Sequence, residues 1–473
     1  MCKIKDILGI IENEVMSSIR FDEQVADTNE IDAYSTFDKF FIPPDYEGHN
    51  WILYIKDVDS KNKLMKFAIN KKNEYSGQVT SYEINFIRKL LVNLWPCLDD
   101  DKTSLKNLSP YYIQLAICDF VNAEKKEEQK GIYVNNTKEL NLLLNNLDIW
   151  SQRTYEGERV EMVFVIPKSS HINSQDNTEN ESKSETICIN DVIKEDFMAP
   201  IANVGYSAIL LDRDCNICKH ISLDTDTTKL TNYPVPYKMN SFINYLNQRD
   251  EFKQCLVIAL IENGDILLIR DNILQFARRR GQWHLFNNTV LDFLMGSDSI
   301  SSMLYNAILD VSFAHTGGCI GVWEMDKNSL TDAQLDNLFK IFDINDIYDL
   351  DVKRQLESYC VQKKIKIKTD KKPWKRSALR KIIGTEMNIS NSSFARKKVQ
   401  ELLGIDGAML LDKNGNIIAV GAIVQIDGGS ATGGRLAATQ SLAKHGIAIK
   451  VSEDGKITGF CQKKPEEEVF NLG

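Results

Sequence analysis

The sequence predicts an α/β fold: a C-terminal domain with a mixed, mostly buried β-sheet flanked by helices, preceded by an α+β N-terminal region. Near the C-terminus, the helical pattern "FARKKVQELLG" precedes two apolar strands, "AMLLD" and "IIAVGAIVQI", which an Asn-Gly turn joins. Helices alternating with such apolar strands are typical of a largely buried sheet. Paired apolar runs further upstream predict β-hairpins.

The first predicted domain covers residues 1–166. It begins with a helical pattern and continues through the strand-like "WILYIKD" and the helical "SYEINFIRKLLVNL" to the strand "VEMVFVI", which ends at Ile166. Residues 167–186 follow. This stretch is polar and has no aromatic residue, so it predicts a linker or loop that cannot bury enough surface to order itself.

The segment 187–297 is predicted to be rich in β-hairpins and to lead into the last domain, with turns at 212–214 and 262–265. The hairpin turn region contains Cys215-Asn-Ile-Cys218 with His220 nearby. These residues are either half of a zinc site or structural thiols, and the missing second ligand pair favours thiols.

The last predicted domain covers residues 298–473, where a helix runs into two glycines and a short apolar strand. Within it, 327–388 joins an acidic run to a basic run. Opposed charge blocks predict a solvated, irregular insertion, with contact to a triphosphate or to another subunit as the alternative. We recognise no internal repeat in the sequence.

Bulk composition narrows the class of protein. The chain has 473 residues, 43% of them hydrophobic, and a net charge of −9. That length suits two or three globular domains, and the acidic balance disfavours nucleic acid as a partner. No apolar run is long enough to span a membrane, so no membrane partner is expected. Ten scattered cysteines and the lack of a signal-peptide pattern predict a cytoplasmic protein.

Several isolated residues have an ordinary structural explanation beside a functional one. Arg278-Arg279-Arg280, followed by Trp283 and His284, could bind an anion or stack on a base, but an exposed hairpin tip is the favoured interpretation. His315 and His445 each end a predicted helix, where a histidine commonly interacts with the helix dipole. The residues 427–446 lack the Gly-Lys-Ser/Thr ending of a P-loop.

Three C-terminal segments carry the most specific chemistry. Asp406-Gly407-Ala408 stands at the mouth of a strand, and Ser452-Glu453 follows a later strand. Between them "SATGGR" places Thr432, Gly433, Gly434 and Arg435 at a helix N-terminus, while 427–430 is expected to be a flexible turn. Strand ends and helix starts of an α/β sheet converge on one crevice. Carboxylates for a divalent metal, together with backbone N–H groups and an arginine for phosphates, suit nucleotidyl transfer, although Asp406 alone is equally explained as a turn residue.

These motifs resemble the diadenylate cyclase (DAC) domain family, as in the nucleotidyltransferase domain of the DNA-integrity-scanning protein. That family has an Asp-Gly-Ala motif, a Gly-Thr-Arg-His-Arg loop that enters a helix, and a Ser-Glu after the next strand. Asp406-Gly407-Ala408 and Ser452-Glu453 match the first and last motifs, and Thr432 and Arg435 align with the loop. The resemblance covers roughly 298–460 and is most specific over 404–457.

The resemblance implies synthesis of cyclic di-AMP from two ATP molecules with release of pyrophosphate, regulated by an N-terminal sensor region. By this resemblance Asp406 and Arg435 are catalytic, and Asp406 and Glu453 hold Mg²⁺ or Mn²⁺. The implied nucleotide-binding residues are Gly407, Ala408, Thr432, Gly433, Gly434, Arg435, Ser452 and Glu453. Because the product needs two ATP-loaded sites face to face, a homodimer or higher homo-oligomer is implied.

The sequence departs from the family at Gly433-Gly434, which replace an Arg-His pair. The loss of such phosphate contacts costs about 2–4 kcal/mol of transition-state stabilisation unless another group replaces them. Lys444 and the basic part of the insertion are candidates. The alternatives to an active cyclase are a catalytically silent DAC-like nucleotide-binding sensor or scaffold, and a nucleotidyltransferase of the same fold that makes another cyclic nucleotide.

Overall fold

The computed structural model forms two compact units. The first comprises Met1–Lys72 and Gln78–Phe286, and the second comprises Asn73–Gly77 and Asn287–Gly473. The structure describes residues 2–26, 39–43, 51–56, 64–98, 105–123, 133–168, 186–222, 231–287, 289–295, 298–369, 373–384, 387–389, 396–426 and 433–473. The mixed α/β class is confirmed, with mixed sheets flanked by helices. Across these ranges, no helix has both the length and the apolar character needed to cross a membrane.

The first unit contains six of the described α-helices and thirteen of the described strands. Its helices are α1 (Cys2–Ile10), α2 (Ser81–Leu94), α3 (Leu105–Asn122), α4 (Thr137–Ser151), α5 (Ile189–Val192) and α6 (Tyr237–Asn247). Its strands are β1 (Ile19–Gln24), β2 (Phe40–Phe41), β3 (Trp51–Lys56), β4 (Leu64–Lys71), β5 (Thr154–Tyr155), β6 (Glu158–Arg159), β7 (Met162–Pro167), β8 (Ser207–Leu211), β9 (Ile217–Ser222), β10 (Cys255–Leu260), β11 (Ile266–Arg270), β12 (Ile273–Arg279) and β13 (Gln282–Leu285).

The first unit has two larger sheets. An antiparallel sheet of order β1-β4-β3-β2 lies near the N-terminus, and a seven-stranded sheet has the order β13-β12-β11-β10-β7-β8-β9. In the larger sheet β7 and β8 are parallel, and the other neighbours are antiparallel. All side chains of β7 and β10 are buried because they occupy its centre.

This arrangement differs from the division drawn from the sequence at 166 and 187. The strand that ends the predicted N-terminal domain, β7, pairs with β8 and β10 from the predicted hairpin segment. Both segments therefore belong to one sheet, because the hydrogen-bonding edges of β7 are satisfied only by strands that come later in the chain. Most of the predicted linker 167–186 lies outside the described residues.

The second unit contains the remaining described helices and strands. Its helices are α7 (Thr289–Met295), α8 (Asp298–Phe313), α9 (Asp332–Ile341), α10 (Leu350–Gln362), α11 (Pro373–Ile383), α12 (Arg396–Leu403) and α13 (Gly434–Ala443). Its strands are β14 (Gly318–Trp323), β15 (Ala408–Asp412), β16 (Ile417–Ala422), β17 (Gly446–Val451), β18 (Ile457–Cys461) and β19 (Phe470–Leu472). They form one sheet of order β16-β15-β14-β17-β18-β19, in which β14 and β15 are parallel.

The insertion 327–388 is not irregular, so that expectation was wrong. It contains α9, α10 and α11. Leu338, Phe342 and Leu356 are fully buried against the core that also contains Leu410 and Ile418 from the sheet. These helices are amphipathic: apolar residues recur at helical spacing between the charged ones, so the charge runs alone do not indicate an irregular segment.

The structure contains an internal repeat that we do not recognise in the sequence. In both units six strands follow one another in the chain and occupy the same places in the sheet: β9-β8-β7-β10-β11-β12 in the first and β16-β15-β14-β17-β18-β19 in the second. The first and second strands of each set, β7 with β8 and β14 with β15, form the parallel pair. A helix precedes the first strand of each set, and another precedes the fourth. We call residues 137–285 the first copy and 298–472 the second copy.

One turn repeats in detail. Asp212 Oδ1 accepts the N–H groups of Asp214 and Asn216 at 2.9 and 2.8 Å, and its Oδ2 accepts Asn216 Nδ2 at 2.9 Å. Asp412 makes the same three bonds in the second copy, to the N–H groups of Asn414 and Asn416 at 2.9 and 2.8 Å and to Asn416 Nδ2 at 2.8 Å. The two copies thus share local geometry as well as strand order.

Candidate functional site

Three strand ends meet at one edge of the second unit's sheet. Gly318, the first residue of β14, pairs with Val451, the last residue of the antiparallel β17. The parallel β15 begins on the other side of β14, with Ile320 level with Met409. Residues just before β14 and β15 and just after β17 therefore lie side by side, and we call this region the site edge.

The site edge gathers the sequence-predicted segments. Asp406-Gly407 immediately precedes β15, Ser452-Glu453 immediately follows β17, and Arg435 lies in the first turn of α13, whose C-terminal end leads into β17. Gly433 and Gly434 begin the same helix. Thr432 and the predicted flexible turn 427–430 lie outside the described residues. The convergence inferred from strand ends and helix starts is present for the described members.

Gly407 is required by packing against the neighbouring strand. Its φ is 111°, and a Cβ there would lie 2.6 Å from the carbonyl carbon of Gly421 and 2.8 Å from the oxygen of Ala422. A Cβ on Gly421 would in turn lie 3.1 Å from the Asp406 oxygen. The two glycines hold the turn that presents the exposed Asp406. Ala408 is buried in β15, so its side chain belongs to the core.

Arg435 and Glu453 form an ion pair across the site edge. Arg435 Nη1 lies 2.9 Å from Glu453 Oε1, and the two side chains are 43% and 71% exposed. The guanidinium covers Gly317, where a Cβ would lie 2.5 Å from Nη1 and 3.0 Å from Cζ. The missing side chain at Gly317 thus makes room for Arg435. Exposed pairs of this kind contribute little to stability, so the arrangement leaves the arginine available to an anion.

The N-terminus of α13 begins with two glycines. Gly433 is its N-cap with a φ of 91°, and no side chain of the described residues caps this end. Among the residues that the structure describes, none lies within 4 Å of a Cβ placed on Gly433 or Gly434. The first-turn N–H groups of a helix are without intrahelical partners and carry the positive end of the dipole, which suits an anion.

Ser452 and His315 shape the turn that carries Glu453. The N–H of Ser452 donates to the oxygen of Lys456 at 2.9 Å, and the N–H of Gly455 donates to the oxygen of Ser452 at 3.0 Å. His315 Nδ1 lies 2.9 Å from the backbone oxygen of Glu453. His315 therefore anchors this turn through its backbone, which is a structural role.

Lys444, the expected replacement for the Arg-His pair, lies away from the site edge. Lys444 and His445 follow α13, at the opposite end of the helix from Arg435. A helix of ten residues is about 15 Å long. Lys444 therefore does not replace the missing Arg-His pair in the described structure, and His445 packs on Trp323 with ring centroids 4.8 Å apart.

An arginine of the insertion contacts β16, the strand that packs against the Asp406 turn. Arg376 of α11 is buried, and its Nη2 donates to the oxygen of Gly421 at 3.2 Å. It also binds the oxygen of Val420 and the carboxylate of Asp346. This residue was missed because only the folded chain brings the basic run against β16. The basic run of the insertion therefore includes an arginine that is buried and has a structural role.

A second missed contact holds the helix that leads to Asp406. Arg396, at the start of α12, binds Asp310 of α8 with Nε–Oδ2 and Nη2–Oδ1 distances of 2.5 Å each. Their side chains are 3% and 0% exposed. The pair fixes α12 against α8, and α12 ends just before the Asp406 turn.

The remaining candidates have structural roles. Cys215 is buried in the turn between β8 and β9, and burial raises the pKa of its thiol to about 12, which opposes metal-binding thiolate. The predicted hairpin tip is present, with Arg280 exposed in the turn between β12 and β13. Arg278 and Arg279, however, pair with Asp148 at 2.6 Å and with Asp265 at 3.3 Å.

Within the residues that the structure describes, no group of three or more His, Cys, Asp or Glu side chains could hold a metal ion. At the site edge Asp406 offers one carboxylate, and Glu453 offers a second whose Oε1 is paired with Arg435. No protein-family model matches the chain, and no curated protein sequence matches it either.

Proposed function

We propose that the second unit is a diadenylate cyclase that makes cyclic di-AMP from two ATP molecules and releases pyrophosphate. The observation that supports this proposal best is the placement of Asp406, Arg435 and Glu453 at one sheet edge, beside the N-terminus of α13. An exposed acid next to an anion-binding helix end is the arrangement that nucleotidyl transfer needs. The Asp-Gly-Ala and Ser-Glu motifs connect the site edge to this reaction.

In the proposed reaction Asp406 accepts the proton of a 3′-hydroxyl of one ATP. The freed oxygen forms a bond to the α-phosphorus of the opposing ATP, and the bond from that phosphorus to the bridging oxygen breaks. The electron pair leaves with pyrophosphate. Arg435, Thr432, Ser452 and the first N–H groups of α13 bind the triphosphate and balance the charge of the leaving group.

The residues of the site edge fit a divalent metal that is held mostly by substrate. Asp406 would bind Mg²⁺ or Mn²⁺ together with phosphate oxygens and water, which is the usual coordination of Mg²⁺ at phosphates. The metal would neutralise phosphate charge. Glu453, whose Oε1 is paired with Arg435, would be the second ligand.

The product requires two facing sites, so the proposed active form is a homodimer or a higher homo-oligomer. The proposed location is the cytoplasm, where ATP is available, and the first unit is the proposed regulatory region. These parts of the proposal follow from the resemblance and from the chemistry of a two-ATP reaction.

One observation favours a second candidate, a silent nucleotide-binding domain. Gly433 and Gly434 supply no side-chain donors, and Arg435 already shares its charge with Glu453. Such a site can hold a triphosphate while giving less stabilisation to the leaving pyrophosphate. A same-fold enzyme that uses another nucleoside triphosphate is the third candidate, since the preference for adenine follows only from the resemblance.

The test is incubation of the full chain with ATP and either Mg²⁺ or Mn²⁺, followed by chromatographic separation of the products. We expect cyclic di-AMP from the wild type and none from Asp406→Asn. Glu401→Gln, which changes an exposed carboxylate on the neighbouring α12, is the control and should retain activity. Bound ATP without any cyclic product under both metals would favour the silent domain, and product only from another nucleotide would favour the third candidate.

A further inference from the structure

The registers of the two sheets relate the copies residue by residue. Met162 begins β7 and pairs with Leu260 at the end of β10, just as Gly318 begins β14 and pairs with Val451 at the end of β17. Phe164 is level with Ile209 in the parallel pair of the first copy. In the second copy Ile320 is level with Met409. The first copy therefore has an edge equivalent to the site edge.

The ion pair of the site edge occurs twice. Lys238 is the second residue of α6, as Arg435 is of α13, and Glu262 is the second residue after β10, as Glu453 is after β17. Lys238 forms an ion pair with Glu262. The following turns also match, since Gly264 and Gly455 have φ values of 87° and 89°. A cation from the helix start and a carboxylate from the strand end are thus shared features of both copies.

The acid of the proposed reaction is missing from the first copy. The registers align Tyr206 with Asp406, and Tyr206 is 69% exposed. Tyrosine has no carboxylate, which is the group that the proposed reaction uses both to accept the proton of a 3′-hydroxyl and to bind Mg²⁺. The first copy therefore lacks the group on which the proposed chemistry depends.

The surroundings of the cation at the helix start also differ between the two copies. Glu161 immediately precedes β7, the place that Gly317 has before β14. Its Oε1 lies 3.8 Å from Lys238 Nζ. Two carboxylates, Glu161 and Glu262, flank one ammonium here, whereas Arg435 covers a glycine and faces one carboxylate in the second copy. Among these three groups the carboxylates outnumber the cation, so Glu161 disfavours the binding of a triphosphate at Lys238.

We propose that residues 137–285 are a non-catalytic duplicate of the nucleotidyltransferase domain, closed to triphosphate by Glu161, so that each chain binds one ATP, in the second copy. The location of the single site rests on the proposed function of the second unit. It follows that the proposed regulatory region contains a domain of the catalytic fold, and that the two sites of the reaction come from two chains.

The test measures how many molecules of α,β-methylene-ATP, whose α–β bond resists transfer, bind per full-length chain in equilibrium dialysis with Mg²⁺. We expect one site in the wild type, a loss of affinity of tenfold or more in Arg435→Ala, and no change in Lys238→Ala, its matched control. Circular dichroism and thermal unfolding check that each variant is folded. Two sites in the wild type, one of them lost in Lys238→Ala, would overturn the proposal.

A third variant tests whether Glu161 is what prevents triphosphate from binding to the first copy. Glu161→Gly copies Gly317 into the first copy, and we expect it to add a second, weaker site that Lys238→Ala removes again. An unchanged single site in folded Glu161→Gly protein would show that Glu161 does not close the edge. Binding of no nucleotide by the wild type would contradict the proposed function of the second unit, while a first copy that gains binding in Glu161→Gly would still support its closure.

Discussion

The guanidinium of Arg435 lies directly over the Cα of Gly317 while it donates to Glu453 at 2.9 Å. A glycine before β14, an arginine at the start of α13 and an acid after β17 thus form one unit. The absence of a side chain at Gly317 is what sets the position of the cation.

Gly317→Ala should therefore displace Arg435. The new Cβ would lie 2.5 Å from Nη1 at a φ of 69°, and a left-handed non-glycine residue costs about 1–2 kcal/mol. We expect nucleotide affinity and cyclase activity to fall together, by more than the loss of stability explains. Gly384→Ala is the matched control, since its φ is 113° and none of the described residues would lie within 4 Å of its Cβ. Equal nucleotide affinity in the two variants would contradict the role of Gly317.

Gly407→Ala should destabilise the second unit. Its Cβ would lie within 3 Å of three backbone atoms of Gly421 and Ala422, which cannot move without disturbing the pairing of β15 and β16. Overpacking of this kind costs about 1–3 kcal/mol. Urea unfolding measures the change, and Gly434→Ala, where a Cβ would contact no residue of the described ranges within 4 Å, should cost much less. A Gly407→Ala protein as stable as Gly434→Ala would show that the site-edge turn is not packed as described.

The buried pair of Arg396 and Asp310 predicts strong non-additivity. Arg396→Met or Asp310→Asn alone leaves the other charge buried, so each should cost about 3–5 kcal/mol of unfolding free energy. The double variant should recover much of this loss, because neither charge then remains. Denaturant unfolding of the four proteins gives the coupling energy. Additive losses would mean that the two charges act independently.

His445 predicts a dependence of stability on pH. Burial lowers the pKa of its imidazole, and the nearby Lys444 and Lys340 lower it further. The unfolded chain therefore binds a proton more readily than the folded one, so stability is complete above the unfolded pKa of about 6.5 and decreases as the pH falls through the folded pKa. Thermal unfolding between about pH 5 and pH 8 should show a smaller acid-induced loss in His445→Gln. An identical pH profile would show that His445 does not contribute.

Much of the second unit follows from sequence pattern, because strand and turn signals are local. The apolar runs of β15 and β16 and their Asn-Gly turn are correctly located, and so is the helix before β17. The meeting of Asp406, Arg435 and Glu453 also follows, since strand ends and helix starts of such a sheet share an edge. Contacts such as that of Arg376 with Gly421 join segments that are far apart in the sequence, so no local sequence pattern predicts them.

The repeat escaped recognition for a physical reason. Core positions are satisfied by any apolar side chain of suitable volume, so Leu260 and Val451, or Phe164 and Ile320, occupy equivalent places without identity. The connection between the two parallel strands is also much longer in the second copy, where it contains α9, α10, α11 and α12. The two copies therefore share their strand order without a similarity that is recognisable in the sequence.

The shared turn gives a test of the repeat that does not depend on function. Asp212→Ala and Asp412→Ala each remove an acceptor of two backbone N–H groups and one amide. Because the lost bonds are the same, both variants should lose protection from hydrogen exchange at the equivalent amides of Asn216 and Asn416, with a local cost of about 1–3 kcal/mol. The control is Asn414→Ala, which keeps the backbone N–H that binds Asp412. In this variant the amide of Asn416 should retain most of its protection from hydrogen exchange. A large loss in one copy and none in the other would show that the two turns are not energetically equivalent, even though their hydrogen bonds coincide.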